Sequence, residues 1–229
     1  MKGKEIVEEQ RGSARKSMIA YKHISDGPED RLPTGLTPAE SFEAGISIQL
    51  GLFSTYRAME GDRADPLEGV AEYHVPAATA AHLQDGEFAH ARAIMGIRGT
   101  MHESCLFQDN TVRRILRDNY IFCCSSEPDL SRIDLGERIY EIHQLDNFAH
   151  RLTVAAFGTL SFIRIGPVTY EKRSANPFLD RLLVEDAFRK SDRFQPEHEI
   201  RVVWDTLTDA GPFLRLRSPR AAKLVSRVA

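Results

Sequence analysis

The stretch FRKSDRFQPEHEIRVVW, residues 188–204, places Glu197 and Glu199 at the mouth of an apolar, β-rich run. Side chains two positions apart on an extended strand point to the same face. Two carboxylates so placed repel one another unless water, cations or a ligand meet them. One reading is a solvated strand edge bridged to Arg193 or Arg201. The other is an acidic pair that holds substrate hydroxyls or stabilises a developing positive charge. Spacing alone leaves both open.

Two other stretches bear groups suited to such a site. YIFCCSS (120–126) is a β-branched, aromatic and cysteine run that ends abruptly in Ser125 and Ser126, which places hydroxyls at a strand terminus. Its bland alternative is a serine-rich turn closed by Pro128 and Asp129. In AYKHIS (20–25), Tyr21 and His23 stand at same-face spacing on a short strand. His23 is either a structural histidine or a hydrogen-bond donor to a sugar or phosphate.

Other chemistries find less support. His82 and His90 lie eight apart and His143 and His150 seven apart, neither of them a metal-ligand spacing. No metal is expected. No glycine-rich dinucleotide fingerprint, phosphate-binding P-loop or GxSxG elbow is present. A metal-dependent nuclease would have to draw on Asp62, Asp65, Glu68 and Glu197, whose spacings are not diagnostic.

These groups must be positioned by a chain of 229 residues, 42% hydrophobic and 28% charged, with net charge −3. That length can bury a sizeable core without a disulfide or metal staple. The charge disfavours a protein built wholly around nucleic-acid binding. Three cysteines, two of them the adjacent Cys123 and Cys124, make a poor disulfide framework and suit a reducing cytoplasm. The charged opening MKGKEIVEEQRGSARKS has no apolar core, so no secretory signal of the usual kind is expected. No apolar run approaches the length of a membrane span. A cytoplasmic location is the expectation.

Residues 1–17 read as a polar arm and 18–229 as a single domain. Thr37, Pro38 and Glu40 form a helix start, with Gly45 as its stop. VAEYHV (70–75) alternates like an edge strand, while residues 76–120, including NTVRRILRDN, have helical character. RLTVAAFGTLSFIRIGPVTYEKR (151–173) suggests one or two strands, and NPFLDRLLVEDAFRKSDRF (176–194) has helical spacing. EIRVVWDTL is a strand, and SPRAAKLVSRVA closes the chain as a basic helix. Strands and helices follow no regular alternation, so the fold class is mixed α+β.

The order of YKHIS, LFSTYRAMEGDRADPLEG, YIFCCSSEPD, GPVTYEKR and the Glu197-x-Glu199-x-Arg201 block resembles a widespread bacterial family of unknown function across about residues 18–205. More distantly, the same order is similar to the ADP-ribosyltransferase fold. That resemblance implies mainly antiparallel sheets with flanking helices, and NAD as a substrate. Glu199 would grip the 2′-hydroxyl of the nicotinamide ribose, and Glu197 would orient a protein or nucleic-acid acceptor. Tyr21 and His23 would meet a ribose, and Ser125 and Ser126 would shape the nicotinamide pocket. Such a protein would be a transferase or NAD-cleaving toxin, effector or anti-phage defence component. A non-catalytic nucleotide- or partner-binding module on the same fold is the alternative. YKHIS departs from the fold's pattern, since it offers Lys22 and His23 where many of these enzymes carry arginine.

Overall fold

The computed structural model describes residues 17–25, 32–58, 65, 70–75, 78–79, 106–107, 110–115, 117–128, 136–170, 174–175, 186–208 and 211–228. Among these, eight strands form the main sheet, numbered here in chain order. They are β1 (Ala20–Ile24), β2 (Ile48–Leu52), β3 (Tyr120–Ser125), β4 (Arg138–Ile142), β5 (Leu160–Pro167), β6 (Glu199–Thr206), β7 (Phe213–Leu216) and β8 (Val225–Arg227). The helices are α1 (Pro38–Glu43), α2 (Phe53–Ala58), α3 (Leu145–Ala155) and α4 (Pro219–Ala222). The fold is mixed α+β, and every pairing in the main sheet is antiparallel.

The sheet forks at β3. One edge of β3 pairs with β6 over its whole length, Tyr120 opposite Trp204 through Ser125 opposite Glu199. Its other edge is shared: β2 takes Tyr120 and Ile121, and β1 takes Ser125. Cys123 lies between those two pairings. Lys22 Nζ donates to its carbonyl at 2.7 Å and sits 5.0 Å from the centre of the Phe122 ring. An ammonium thus satisfies a main-chain acceptor at the point where the ladder splits.

The sheet's two faces differ in character. Even-numbered residues of β3 and β6 (Tyr120, Phe122 and Cys124; Ile200, Val202 and Trp204) enter the main core. Phe42 of α1 and Leu145, Phe148, Ala149 and Leu152 of α3 pack there with them. Odd-numbered residues face the other way. Ile121 and Val203 meet Phe53 and Phe188 in a smaller apolar cluster, beside which the polar groups lie.

Local signals explain several elements. Thr37 Oγ1 accepts from the Glu40 N–H while the Glu40 carboxylate accepts from the Thr37 N–H, a reciprocal cap. Gly45 ends α1 at φ 64°, and a Cβ there would stand 2.6 Å from the Ser218 carbonyl. Elsewhere tertiary pairing overrides the pattern. Asn110–Ile115, of helical character in sequence, is a strand antiparallel to Val70–Val75. Val70–Val75 in turn pairs with Ser174–Ala175, so it is the middle of three strands and not an edge.

Within 151–173, α3 takes the first five residues before β5 begins at Leu160. Of the helix expected over 176–194, residues 176–185 lie outside the described residues. Asp186–Phe188 is a single 3-10 turn, and Arg189–Lys190 is a short strand. The basic C-terminal helix stops after one turn at Ala222, and β8 follows, paired to β4. The proposed arm falls almost wholly outside the described residues. No described helix is long and apolar enough to cross a membrane.

Candidate functional site

Strand register decides which candidates meet. Tyr21 lies opposite Ser125 on the β1–β3 boundary, and Ser125 lies opposite Glu199 on the β3–β6 boundary. Paired residues share a face, so these three side chains form one row across adjacent strands. Tyr21 and Glu199 stand two strand spacings apart, roughly 10 Å. His23 shares that face one step along β1 and is buried. Ser126 does not join the row: it is exposed on the turn, and its N–H donates to the His198 carbonyl at 2.8 Å. The Ser125 hydroxyl accepts from the Glu127 N–H at 3.2 Å, so the bland turn contact and the row coexist.

Glu197 corrects the expectation of two carboxylates on one strand. It is the last residue of a 3-10 helix, Asp192–Glu197. His198 follows in the left-handed region at φ 45°, and β6 begins only at Glu199. The side chains nevertheless converge from different backbones. Lys190 Nζ lies 2.5 Å from Glu197 Oε2 and 3.0 Å from Glu199 Oε2, and 4.5 Å from the centre of the Phe194 ring.

Arg201 completes the cluster. Its Nε donates to Glu199 Oε1 at 2.6 Å and its Nη2 to Oε2 at 3.3 Å, while Nη1 donates to the Ala187 carbonyl at 2.7 Å. The Arg201 side chain is 0% exposed and that of Glu199 5%. Neighbours hold the backbone in place as well. The Glu199 N–H donates to the Tyr170 hydroxyl at 2.6 Å, and its carbonyl accepts from Val168 N–H at 2.9 Å. Tyr170 and Lys190 arrive together because Thr169–Tyr170 and Arg189–Lys190 pair in parallel, with Tyr170 opposite Lys190. Two acids and two bases therefore close on each other beside the apolar Phe53–Phe188 cluster.

Burial alone would raise the pKa of Glu199, but the Arg201 guanidinium and then the Lys190 ammonium overcome it. The carboxyl is held well below the ordinary carboxylate range. Burial pushes the Tyr170 phenol up to about 12. Burial, then the Glu199 charge, pushes the Cys123 thiol well up, so no reactive thiolate is set up there.

The depressed Glu199 pKa has a stability consequence of definite sign. A lowered folded-state pKa contributes stability above the unfolded value, and that contribution is lost as pH falls through the folded value. The unfolding free-energy gap between wild type and Glu199→Gln should therefore be widest at neutral pH. It should narrow as pH drops below about 4.5, the ordinary glutamate value. Urea titrations from pH 7 to pH 2 measure it; a gap that does not change with pH would remove the effect.

Among the described residues no group of three or more His, Cys, Asp or Glu side chains is placed to hold a metal. Of the nuclease candidates, Asp65 is buried, and Asp62 and Glu68 lie outside the described residues.

The chain matches no known protein family, no curated protein and no solved structure.

Sequence reasoning missed Lys190 and Tyr170 as neighbours of Glu199. Lys190 is nine positions upstream, inside a stretch with helical spacing, and Tyr170 is further still. Arg201 was readable, as a possible bridge partner two residues from Glu199 on the same strand face. The only signal for the lysine was charge accounting: two nearby carboxylates call for two cations once they are buried.

Proposed function

We propose that the face carrying Tyr21, Ser125 and Glu199 binds NAD, and that the protein is ADP-ribosyltransferase-like or NAD-cleaving. The row across β1, β3 and β6 carries this reading, because it joins a phenol, a hydroxyl and a fixed carboxylate from three separate strands.

The chemistry follows from the carboxylate. Arg201 and Lys190 fix its orientation: Oε2 accepts from both, and Oε1, which accepts from Arg201 Nε, is the oxygen left to meet a ligand hydroxyl. Glu199 accepts the 2′-hydroxyl of the nicotinamide ribose. The bond from the ribose carbon to nicotinamide nitrogen then breaks, and its electron pair leaves with neutral nicotinamide. Positive charge grows on the ribose, and a carboxylate in a dry site favours that state over the ground state. An acceptor nucleophile or water forms the new bond to the ribose carbon and releases a proton. Glu197, held on Lys190, orients that acceptor. Tyr21, His23 and Ser125 contact the ribosyl and nicotinamide groups, with Ser126 at the rim.

A second reading has its own observation. Glu199 is already neutralised by two cations at 2.6 and 3.0 Å, which suits a module that binds a nucleotide without cleaving it. Nicotinamide release and NAD titration calorimetry on the same preparation separate the two. The enzyme reading expects release by wild type and a loss of about 10²-fold or more in Glu199→Gln. Binding without release supports the module. Absence of both sinks the NAD proposal.

A further inference from the structure

The row of side chains does not stop at Tyr21. Tyr21 is also opposite Glu141 of β4, and Glu141 is opposite Ser226 of β8. Ser226, Glu141, Tyr21, Ser125 and Glu199 therefore lie side by side on one face, across five strands. The Tyr21 phenol stands beside Glu141; burial, then the Glu141 charge, raises the Tyr21 pKa. Glu141 Oε1 lies 2.8 Å from His143 Nδ1.

The two ends of the row differ in access. Glu199 is enclosed by Lys190, Arg201 and Tyr170, whereas the Glu141 side chain is 26% exposed and Ser226 is exposed. Along the row, the Glu199 end is deep and the Glu141 end lies near the surface. Between the two acids stand hydroxyl groups, with the His23 imidazole one step along the same face. Glu141 and Glu199 are three strand spacings apart, roughly 14 Å. One sugar cannot touch both. A molecule with a sugar at each end and a linker between them can.

Resting on the NAD reading above, we propose that Glu141 is a specificity-determining residue that accepts the hydroxyls of the ligand's second ribose, selecting a dinucleotide over a mononucleotide. A carboxylate offers about four acceptor positions, and the neighbouring Tyr21 and His143 take at most two. The rest are open to a vicinal diol.

The test compares NAD with nicotinamide mononucleotide, which lacks the second ribose, in wild type, Glu141→Ala and His143→Ala. Titration calorimetry supplies the affinities, nicotinamide release the turnover, and thermal melting a check on folding. Glu141→Ala should weaken NAD about 10-fold or more in Kd or KM, an amount set by charge-assisted hydrogen bonds. It should leave the mononucleotide, and kcat for NAD, within about twofold. His143→Ala removes the imidazole contact but keeps the carboxylate, so it should retain the preference for NAD. If Glu141→Ala weakens both ligands equally, or neither, the second-ribose role is overturned while NAD binding stands. If His143→Ala reproduces the whole effect, the imidazole contact and not the diol contact is responsible, and the role is again overturned. If wild type neither binds nor cleaves NAD, both proposals fall together.

Discussion

Arg201→Leu is expected to lower the unfolding free energy by about 3–5 kcal/mol, the usual cost of breaking a buried ion pair on one side. The count of charges explains the size. The intact cluster holds Glu197 and Glu199 against Lys190 and Arg201. Among the described residues, removing Arg201 leaves two carboxylates on one ammonium, with Glu199 only 5% exposed and unable to recover its hydration. The Ala187 carbonyl loses its guanidinium donor as well. Leucine preserves bulk against Phe53, whose ring centre lies 5.8 Å from the guanidinium, so the loss reports charge more than volume. The double change Glu199→Leu with Arg201→Leu restores one acid to one base, Glu197 to Lys190. It should be less destabilised than Arg201→Leu alone, since an apolar pair can replace a buried ion pair at little cost. Urea unfolding at neutral pH measures both. A single-variant loss below about 1 kcal/mol, or a double variant worse than the single, would show that burial penalises these charges less than supposed.

What could be read in the chain beforehand follows from how local each signal is. The cap at Thr37 and the stop at Gly45 were legible because the groups that satisfy them sit within a few residues. The β3 and β6 strands were legible from their apolar, β-branched runs. Asn110–Ile115 was not, because two arginines and an isoleucine fit either period, and pairing with Val70–Val75 decides the matter. The end of the chain failed similarly: Ser218 and Pro219 do start a helix, yet Val225–Arg227 gains more by adding to β4. For the site, residue types were readable and their arrangement was not. Nothing local announces that Ser125 pairs with both Tyr21 and Glu199, since such contacts belong to register between distant strands. His198 illustrates the limit most sharply. A single left-handed residue takes Glu197 off the strand, and no pattern around it demanded that.

Trp204→Ala should cost about 3–5 kcal/mol, at the upper end for a core truncation, because the indole both fills the main core and hydrogen-bonds to α3. Trp204 is 0% exposed and belongs to the main core with Leu160 and the α3 side chains. Its Nε1–H donates to Thr153 Oγ1 of α3 at 2.8 Å, while that hydroxyl donates on to the Ala149 carbonyl at 2.9 Å. Alanine empties the space and strands the hydroxyl's acceptor side. Trp204→Phe keeps most of the packing and loses the hydrogen bond, so a penalty smaller than that of alanine is expected, about 1–2 kcal/mol of it from the unmet polar group. Because Trp204 points to the face opposite Glu199 and Arg201, a folded Trp204→Phe should leave ligand affinity within about twofold of wild type, as expected for sites sharing no partners. Arg201→Leu, by contrast, should weaken stability and ligand binding together. Melting curves and NAD calorimetry on the two variants test that division. Equal loss of affinity in both would mean that the sheet transmits packing from one face to the other, and that the polar row is no independent site.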